Sequence, residues 1–333
     1  LSGDLQLFDG RMNHNNGWFV LRSNIKPGVT KGAVKWIITP NVVADWMYQP
    51  VIQTSQIGYH PTQDKEAVIE MDIRDNRKET AQIIRIDADG EKVVKNVTPA
   101  NWGKFLRYNY LKVNFTDVKE PGLYKIKYNT SVSPIFRIDN DVYARGVWQP
   151  VLEYFLPVQM CHMRVNEKYR VWHDCCHMDD AQMAPAHNHI DGYDQKEGLS
   201  KFKPGEVVPG VNIGGWHDAG DFDLRIESQA GESYILALAY EAFHPNLDVT
   251  SIDQINRVTE IHQPDGKNDL LQQVENGALT VVNGYLALGR LYRGIICNDL
   301  RQYVLLGDAA AMTDGKIGNE DDRWIFTEDN PGR

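Results

Sequence analysis

The sequence predicts a chain of two parts, in which an all-β domain is followed by an all-α domain. Residues 51–140 contain short runs in which apolar and polar residues alternate, separated by turn residues. From about Asp141 the spacing of apolar residues changes to three and four, the period of an amphipathic helix. With 333 residues, of which 42% are hydrophobic, the chain is long enough to bury more than one core.

The strands of the predicted β domain are short and regularly separated. Alternating runs lie at 67–73, 82–86 and 123–128, and the pairs Asp89-Gly90 and Pro121-Gly122 favour tight turns between them. This pattern indicates a β-sandwich over residues 51–140. Residues 1–50 hold aromatic residues and strand-like pieces. We interpret them either as the remnant of a preceding β module or as an extension packed along the sandwich.

Three stripes of apolar residues at helical spacing follow the predicted sandwich, and Asp141 is a candidate N-cap for the first of them. They predict a helical domain over residues 141–333. The stripes consist of Val142, Val147, Val151, Leu152 and Phe155, then of Ile226, Ala230, Ile235, Leu238 and Ala242, and then of Leu271, Val274, Ala278, Val281, Tyr285, Leu288 and Leu291.

The most informative motif is the octet Gly214–Asp221, which reads Gly-Gly-Trp-His-Asp-Ala-Gly-Asp. It separates the carboxylates of Asp218 and Asp221 by a flexible Ala-Gly pair, so that both can approach one point. Such a pair can hold a water molecule, and Trp216 offers an apolar face for a sugar ring. Helix caps and calcium loops are commoner uses of Asp-rich loops. An EF-hand is excluded, because Asp218, Asp221 and Asp223 do not fall on its alternating positions.

The octet, with the Cys-His run before it and helical sequence after it, resembles the catalytic domain of glycoside hydrolase family 9. The hallmark of that family is a Gly-Gly-Trp-(Tyr or His)-Asp-Ala-Gly-Asp stretch. The resemblance implies inverting hydrolysis of β-1,4-glucans such as cellulose, xyloglucan or mixed-linkage glucan. It implies that Asp221 is the general base and that Asp218 positions the attacking water. It also implies that the predicted helices are the first members of an (α/α)6 barrel, whereas their spacing alone shows only a helical domain.

Two segments of the predicted sandwich resemble the immunoglobulin-like module that precedes many catalytic domains of this family. They are Gln56–Pro61 and Glu120–Tyr124. The module carries no catalytic grouping of its own, so the resemblance implies that it covers and braces the helical domain. The predicted organisation is therefore an immunoglobulin-like β-sandwich followed by part of an (α/α)6 barrel.

The general acid of this family is a Glu far downstream of the Asp pair, which implies a position beyond residue 333. Because the chain stops soon after Asp321–Trp324, we interpret it as a fragment, or as one piece of a cut polypeptide that a C-terminal chain or segment complements. A base without an acid leaves the departing sugar oxygen unprotonated. We therefore expect residues 1–333 alone to have little or no glucanase activity.

The four cysteines are too sparse for a disulfide scaffold in a chain of this length. Three of them lie close in sequence to several histidines, and a mixed set of thiolates and imidazoles is what tetrahedral zinc prefers. These residues are Cys161, Cys175 and Cys176, with His162, His173, His177, His187, His189 and His217. A Cys161–Cys176 disulfide, or simply buried thiols with His187 or His189 as bystanders or substitute ligands, is the alternative.

Some members of the resembled family carry a structural zinc ion beside the immunoglobulin-like module. The resemblance implies four ligands here, which are Cys161, Cys176, His177 and His217. Four protein ligands leave no open position, which is typical of a structural ion. Because consecutive side chains of an extended segment point to opposite sides, His217 can face the metal while Asp218 faces the cleft. Zinc would then hold the catalytic loop in place.

Weaker candidates complete the predicted site. The candidate sugar contacts are Trp172, His173, Tyr193, Trp216 and Trp324, each equally compatible with a core position. Two acidic pairs, Asp179-Asp180 and Asp321-Asp322, are candidate calcium ligands, although solvated loop acids are commoner.

Charge and hydropathy limit the classes of molecule that the chain is expected to bind. The 45 Asp and Glu residues outnumber the 35 Lys and Arg residues, and the net charge of −10 disfavours a nucleic-acid surface and suits a neutral polysaccharide. No stretch approaches the roughly 20 apolar residues that cross a bilayer. The resemblance favours a secreted, periplasmic or cell-surface location. A non-catalytic glucan-binding or scaffold protein with the same fold is the alternative function.

Overall fold

The computed structural model describes residues 5–9, 19–188, 194–196, 200–218, 222–297 and 323–327. Strands dominate the described part of the first 140 residues. They are β1 to β11, at Leu5–Asp9, Phe19–Ser23, Val51–Gln53, Glu66–Asp72, Ala81–Asp87, Gly90–Val97, Ala100–Phe105, Tyr108–Asn114, Gly122–Tyr128, Ser131–Val132 and Phe136–Ile138.

Nine of these strands form two antiparallel sheets. One sheet has the order β3-β4-β8-β7, and the other has the order β10-β9-β5-β6 with β11 also paired to β9. Alternate residues of each strand are buried, as in Ile69 and Met71 of β4, Ile83 of β5 and Ile126 of β9, and they share one core. The predicted β-sandwich is confirmed.

Among the described residues, Trp46 and Tyr48 attach the N-terminal region to the sandwich. Strands β1 and β2 pair only with each other, as a separate two-stranded sheet. The Tyr48 backbone N–H donates to the Asp72 carboxylate at 3.1 Å, and the Tyr48 ring lies 5.2 Å from the ring of Tyr108. Which of the two interpretations applies to residues 1–50 stays a prediction.

The second half of the chain contains two long helices and several short strands. Two helices were predicted from their apolar stripes and are confirmed as α2 (Ile226–Phe243) and α3 (Asp269–Leu288). A π-helical turn at Val151–Phe155 leads into the short helix α1 (Leu156–Gln159). The strands are β12 to β21, at Arg164–Glu167, Arg170–His173, Gln182–Met183, His187–Asn188, Asp194–Gln195, Leu224–Arg225, Thr250–Asp253, Val258–Ile261, Gly294–Cys297 and Arg323–Phe326.

The prediction that the second half is all-α therefore needs correction. Two four-stranded sheets lie in it, with the orders β13-β12-β19-β18 and β14-β21-β20-β17. Most of their strands have two to four residues, which is too short to establish an alternating pattern in the sequence. An (α/α)6 barrel is present only in part, since the described residues contain just two long helices.

The prediction that a helix begins at Asp141 is wrong, because residues 141–148 form turns and bends. The Asp141 carboxylate lies 2.9 Å from Arg137 in an ion pair. Gly146 adopts a φ of 74°, which no right-handed helix contains. The helical segment starts only near Pro150, a residue that fits the first turn because it has no N–H to leave unpaired.

The buried face of α3 also differs from the predicted stripe. The residues that it buries are mostly polar or small, and they include Gln273, Asn276, Gly277 and Thr280. Of the apolar residues of the stripe, Leu288 is buried, and the others are half-buried or exposed, as in Leu271 and Tyr285. Among the described residues, no helix is long and apolar enough to cross a bilayer.

Replacement of Ile69 by Ala tests the core of the sandwich. Ile69 is fully buried between the two sheets. We expect the Ile69→Ala variant to lose about 2–5 kcal/mol of unfolding free energy, because the deletion leaves a cavity in a close-packed core. Urea unfolding measures the loss. Val68→Ala, at the half-buried neighbouring position, is the control and is expected to cost about 1 kcal/mol or less. Equal losses of unfolding free energy in the two variants would contradict the assignment of Ile69 to the core face of strand β4 and of Val68 to the other face.

Candidate active site and metal centre

The first five residues of the octet run between α1, α2 and α3, and the helices satisfy their backbone groups. The Gly215 N–H donates to the Asn276 carbonyl at 2.9 Å, and Asn276 Nδ2 donates to the Gly215 carbonyl at 3.1 Å. Gln229 of α2 repeats this pattern at Trp216, since its Oε1 accepts the Trp216 N–H at 2.9 Å and its Nε2 donates to the Trp216 carbonyl at 3.0 Å. The side chain of Gln229, and the side chain and backbone carbonyl of Asn276, thus replace a neighbouring strand.

The first two glycines of the octet are required by this close approach. Gly214 has a φ of 71°, and a Cβ at this position would lie 2.3 Å from the Asn276 carbonyl oxygen. Gly215 has a φ of 85°. Both values lie in the left-handed region that side chains disfavour, so the Gly-Gly pair allows the chain to turn against the surface of α3.

Trp216 lies in the core and does not offer a face to a sugar. The residue is 2% exposed, and its ring touches Gly277 of α3. Its Nε1 donates to Gln273 Oε1 at 2.7 Å, which satisfies the indole N–H away from water. Its position supports the segment that follows, which contains His217 and Asp218.

His217 and Asp218 face opposite environments. The His217 N–H donates to the Gln159 carbonyl at 2.8 Å, and its side chain is buried. Asp218 is exposed, and its Oδ2 lies 3.7 Å from Arg225 Nε. The Asp218 N–H donates to the Asp223 carbonyl at 3.2 Å, so the two ends of the loop are bonded to each other. Asp221 lies outside the described residues, and its convergence with Asp218 stays a prediction.

The structure brings the four predicted metal ligands into one buried cluster. Their ligand atoms all lie within 4.8 Å of one another in Cys161, Cys176, His177 and His217. The two sulfur atoms are 3.8 Å apart, Cys161 Sγ lies 3.5 Å from His177 Nδ1, and Cys176 Sγ lies 3.3 Å from His217 Nε2. The four cysteines of the chain are free thiols, so the alternative Cys161–Cys176 disulfide is not formed.

Electrostatics in the cluster favour metal-binding forms of two of these side chains. Burial lowers the pKa of His177 to about 3, so its imidazole is neutral at physiological pH. Burial alone would raise the pKa of the Cys161 thiol. The hydrogen bond from Cys176 and the nearby charges of His162 and Arg323 outweigh burial and lower that pKa well below its usual range. A neutral imidazole and a thiolate are the forms that bind metal ions.

The remaining candidate sugar contacts have different positions. His173 is buried, and its ring nitrogens lie 3.1 Å from the Val158 carbonyl and 2.9 Å from the Asp174 carbonyl. Trp172 is half-buried, with its Nε1 donating to Glu167 at 3.2 Å and the Arg170 guanidinium 3.5 Å over its ring. Trp324 is half-buried in β21. Tyr193 lies outside the described residues, as do the side chain of His187 and the whole of His189.

The candidate calcium ligands do not form a described site. The Asp180 carboxylate is buried and pairs with Arg323 at 2.5 Å. The neighbouring Asp179 has one buried oxygen without a hydrogen-bond partner in the structure. Asp321 and Asp322 lie outside the described residues.

Sequence reasoning missed the polar residues that support the octet. Gln229, Gln273 and Asn276 occupy helix positions where apolar residues are expected in a core. One signal was available, because Asp269, Gln273, Asn276 and Thr280 recur at helical spacing and form a polar stripe on α3. A buried polar stripe indicates that the helix binds backbone groups, since buried polar atoms need partners.

Comparison with known proteins agrees with this arrangement. Residues 47–133 match the family model of the cellulase N-terminal ig-like domain. The GH family 9 endoglucanase J30 superposes with a TM-score of 0.51 at 20% identity, over 80% of this chain and 44% of that chain. The chain has the fold of glycoside hydrolase family 9. The resemblance inferred from the octet is thereby confirmed for the fold.

Two further solved structures have the same fold. A Zn-binding triple mutant of J30 gives a TM-score of 0.54 at 20% identity, over 80% of this chain and 44% of that chain. A GH9 protein of Bacteroides ovatus gives 0.50 at 20% identity, over 73% of this chain and 41% of that chain. The chain thus spans less than half the length of these family 9 structures. No curated protein sequence matches it.

Substitution of Gly277 tests the packing of Trp216 on α3. A Cβ at Gly277 would lie 2.3 Å from the Trp216 ring, so the ring must move. We expect Gly277→Ala to lower the unfolding free energy by about 1–3 kcal/mol, as overpacked cores do. Urea unfolding followed by circular dichroism measures the change.

Gly231→Ala is the matched control, because Gly231 lies in α2 and a Cβ at this position would have open space within 4 Å. Alanine is the better helix former, so this variant is expected to gain about 0.5–1 kcal/mol. If both variants gained stability, the packing of Trp216 on α3 would be refuted.

Proposed function

We propose that this chain carries the general base of an inverting β-1,4-glucan hydrolase. Asp221 acts as the base, Asp218 positions the attacking water, and the general acid is a Glu beyond residue 333. The observation that carries the proposal is the alternation at His217 and Asp218, where one side chain enters the buried metal-binding cluster and the next is exposed. Asp218 is therefore exposed directly next to a residue that is anchored in the buried cluster.

The chemistry follows from the two carboxylates. Asp221 takes a proton from water as the water oxygen attacks the anomeric carbon, and the acid protonates the departing sugar oxygen. In an inverting enzyme the base and the acid stand about 6.5–9.5 Å apart, which leaves room for the water. Asp218 orients that water and lies 3.7 Å from the positive charge of Arg225.

The described positions divide the candidate sugar contacts into two groups. Trp172 and Trp324 are half-buried, and we retain them as contacts to the glucan. Trp216 and His173 are buried, and we assign them packing roles beneath the loop. Tyr193 remains a proposed contact on sequence grounds alone.

We further propose that the cluster of Cys161, Cys176, His177 and His217 holds a structural zinc ion. In a tetrahedron with Zn–S bonds near 2.3 Å and Zn–N bonds near 2.0–2.1 Å, ligand atoms lie about 3.3–3.8 Å apart. Three contacts within the cluster, at 3.3, 3.5 and 3.8 Å, fit that spacing. When bound, zinc would fix the position of His217 and hence the start of the loop.

The exposed apolar residues of α2 and α3 support a complementary C-terminal chain or segment. Ile235 and Phe243 of α2 are 65% and 80% exposed, and Leu286 of α3 is 71% exposed. Large apolar patches on a soluble protein mark surfaces that pack against something else. In a family 9 fold the natural occupants are further helices of the (α/α)6 barrel. A substrate of this size also favours a secreted, periplasmic or cell-surface location.

Loss of hydrolysis on substitution of Asp221 tests the catalytic proposal. The longest natural polypeptide that contains residues 1–333 is expected to release reducing sugar from soluble β-glucan, with the α-anomer formed first as observed by NMR. Asp221→Ala should reduce kcat by about 10²–10⁴-fold, the usual contribution of a general base. Residues 1–333 alone should show little activity.

Asp89→Ala serves as the control, since Asp89 lies exposed in a turn of the sandwich. Unchanged hydrolysis in the Asp221→Ala variant would refute the assignment of Asp221 as the general base. Glucan binding without any release of reducing ends, by the full polypeptide, would instead favour the non-catalytic alternative.

Metal analysis tests the zinc proposal. We expect undialysed protein to contain about one zinc per chain and to lose thermal stability on chelation, because a metal bound only by the folded state stabilises that state. Cys176→Ser should abolish both the zinc content and the loss of thermal stability on chelation. Cys175→Ser is the matched control, because the adjacent Cys175 is half-buried and outside the cluster. Zinc-free protein, or an equal loss in both variants, would contradict the site.

A further inference from the structure

Arg323 begins strand β21 and is fully buried, which requires a partner for its charge. Asp180 supplies that partner. One oxygen of its carboxylate lies 2.5 Å from the guanidinium, and the other accepts the Arg323 backbone N–H at 2.9 Å. The Ala181 N–H donates in turn to the Arg323 carbonyl at 3.2 Å. Asp180 and Ala181 therefore bind both the guanidinium and the backbone of Arg323.

The donors that remain on the guanidinium reach two separate elements of the site. Nη2 lies 3.3 Å from Cys161 Sγ, and Nη1 donates to the Phe222 carbonyl. Phe222 directly follows Asp221 and has a φ of 56°, a conformation that is uncommon for a bulky residue. One side chain thus contacts a metal-ligand sulfur and the end of the loop.

The Phe222 ring lies against the same cluster. Its centroid is 4.9 Å from the ring of His217 and 5.8 Å from the ring of His177. A change in the position of Phe222 therefore affects the two imidazoles directly, in addition to the loop that ends at this residue.

We propose that Arg323 is a positioning residue that holds Cys161 of the metal cluster and Phe222 in one arrangement. Its N–H group donates to the Cys161 sulfur and stabilises negative charge there, as partners of metal ligands commonly do. Its second N–H group keeps Phe222 in its left-handed conformation. Only a planar fork with several fixed donors can make both contacts together with the bond to Asp180, so Lys cannot substitute for Arg.

This inference rests on the proposed zinc site, and it adds a residue that lies 162 positions from Cys161 in the sequence. The alternative is that Arg323 is merely a neutralised core residue. In that case a substitution would change stability but would leave the electronic properties of the cluster unaltered. The two possibilities therefore differ in a spectroscopic signature of the bound metal.

Cobalt substitution in the full chain provides that signature. Co²⁺ replaces Zn²⁺ at tetrahedral sites, and its thiolate charge-transfer bands report on the charge at the sulfur atoms. We expect Arg323→Lys to shift these bands and to raise the Kd for Zn²⁺, measured by chelator competition, by about 10–100-fold. The backbone amides of Asp218, Phe222 and Asp223 should also exchange hydrogen faster. Asp180→Asn weakens the ion pair that holds the guanidinium. It should shift the bands and raise the Kd in the same direction, by a smaller amount.

Arg293→Lys is the matched control, because Arg293 is paired with Glu227 at 3.3 Å in the same half of the chain and outside the cluster. Its cobalt spectrum and Kd should equal those of the unmodified protein. An Arg323→Lys spectrum identical to the unmodified one, at equal metal affinity, overturns the inference.

Two outcomes separate the inference from the proposed function. Unmodified protein that takes up no cobalt overturns the inference together with the zinc site. Protein that binds cobalt with the expected changes in Arg323→Lys, but does not hydrolyse glucan, supports the inference while refuting the hydrolase.

Discussion

The described site depends on the hydrogen bonds that Gln229 and Asn276, on two helices, make to the backbone of Gly215 and Trp216. A chain that passes through a protein interior must satisfy its N–H and carbonyl groups, because each unpaired group costs about 1–3 kcal/mol. Here Gln229 and Asn276 supply both donor and acceptor. These contacts fix the direction in which the chain leaves Trp216, and so determine that His217 points inward and Asp218 outward.

The same constraint explains which parts of the site were predictable from the sequence. The Asp pair and the mixed Cys-His set were identified because each has a chemical meaning that does not depend on the fold, and the resemblance to glycoside hydrolase family 9 selected the four cluster residues from that set. The supporting residues were not identified. Gln273 and Asn276 appear in sequence as the solvent-facing side of an amphipathic helix, whereas α3 buries them to bind the octet. Binary patterning assumes that water is the only partner of a polar side chain, and here the partner is a buried backbone.

The fold was predictable to a similar extent. The sandwich and the two long helices have patterns that extend over many residues, and their existence was predicted. The apolar spacing predicts a helix that begins at Asp141. No regular helix starts there, because Gly146 and Pro150 in the same segment prevent it. Some of the short strands form local hairpins, as β18 does with β19, but others pair residues far apart in sequence, such as Arg164 with Val258. Local composition does not encode such distant partners, so no window of sequence could have specified those pairings.

Charge balance connects the metal cluster to the rest of the interior. The buried pair of Arg323 and Asp180 is neutral in sum, and so are the two imidazoles when unprotonated. The cysteines are not equivalent, because the hydrogen bond to Cys161 and burial raise the pKa of Cys176 well above its usual value. Two thiolates side by side would place two negative charges in a buried region, at a large energetic cost, and Arg323 is already paired with Asp180. The two positive charges of a divalent cation would balance the negative charges of two thiolates. The proposed ion would therefore bring the cluster to neutrality with both sulfur atoms deprotonated, which is the electrostatic argument for the proposed metal site over a packed core.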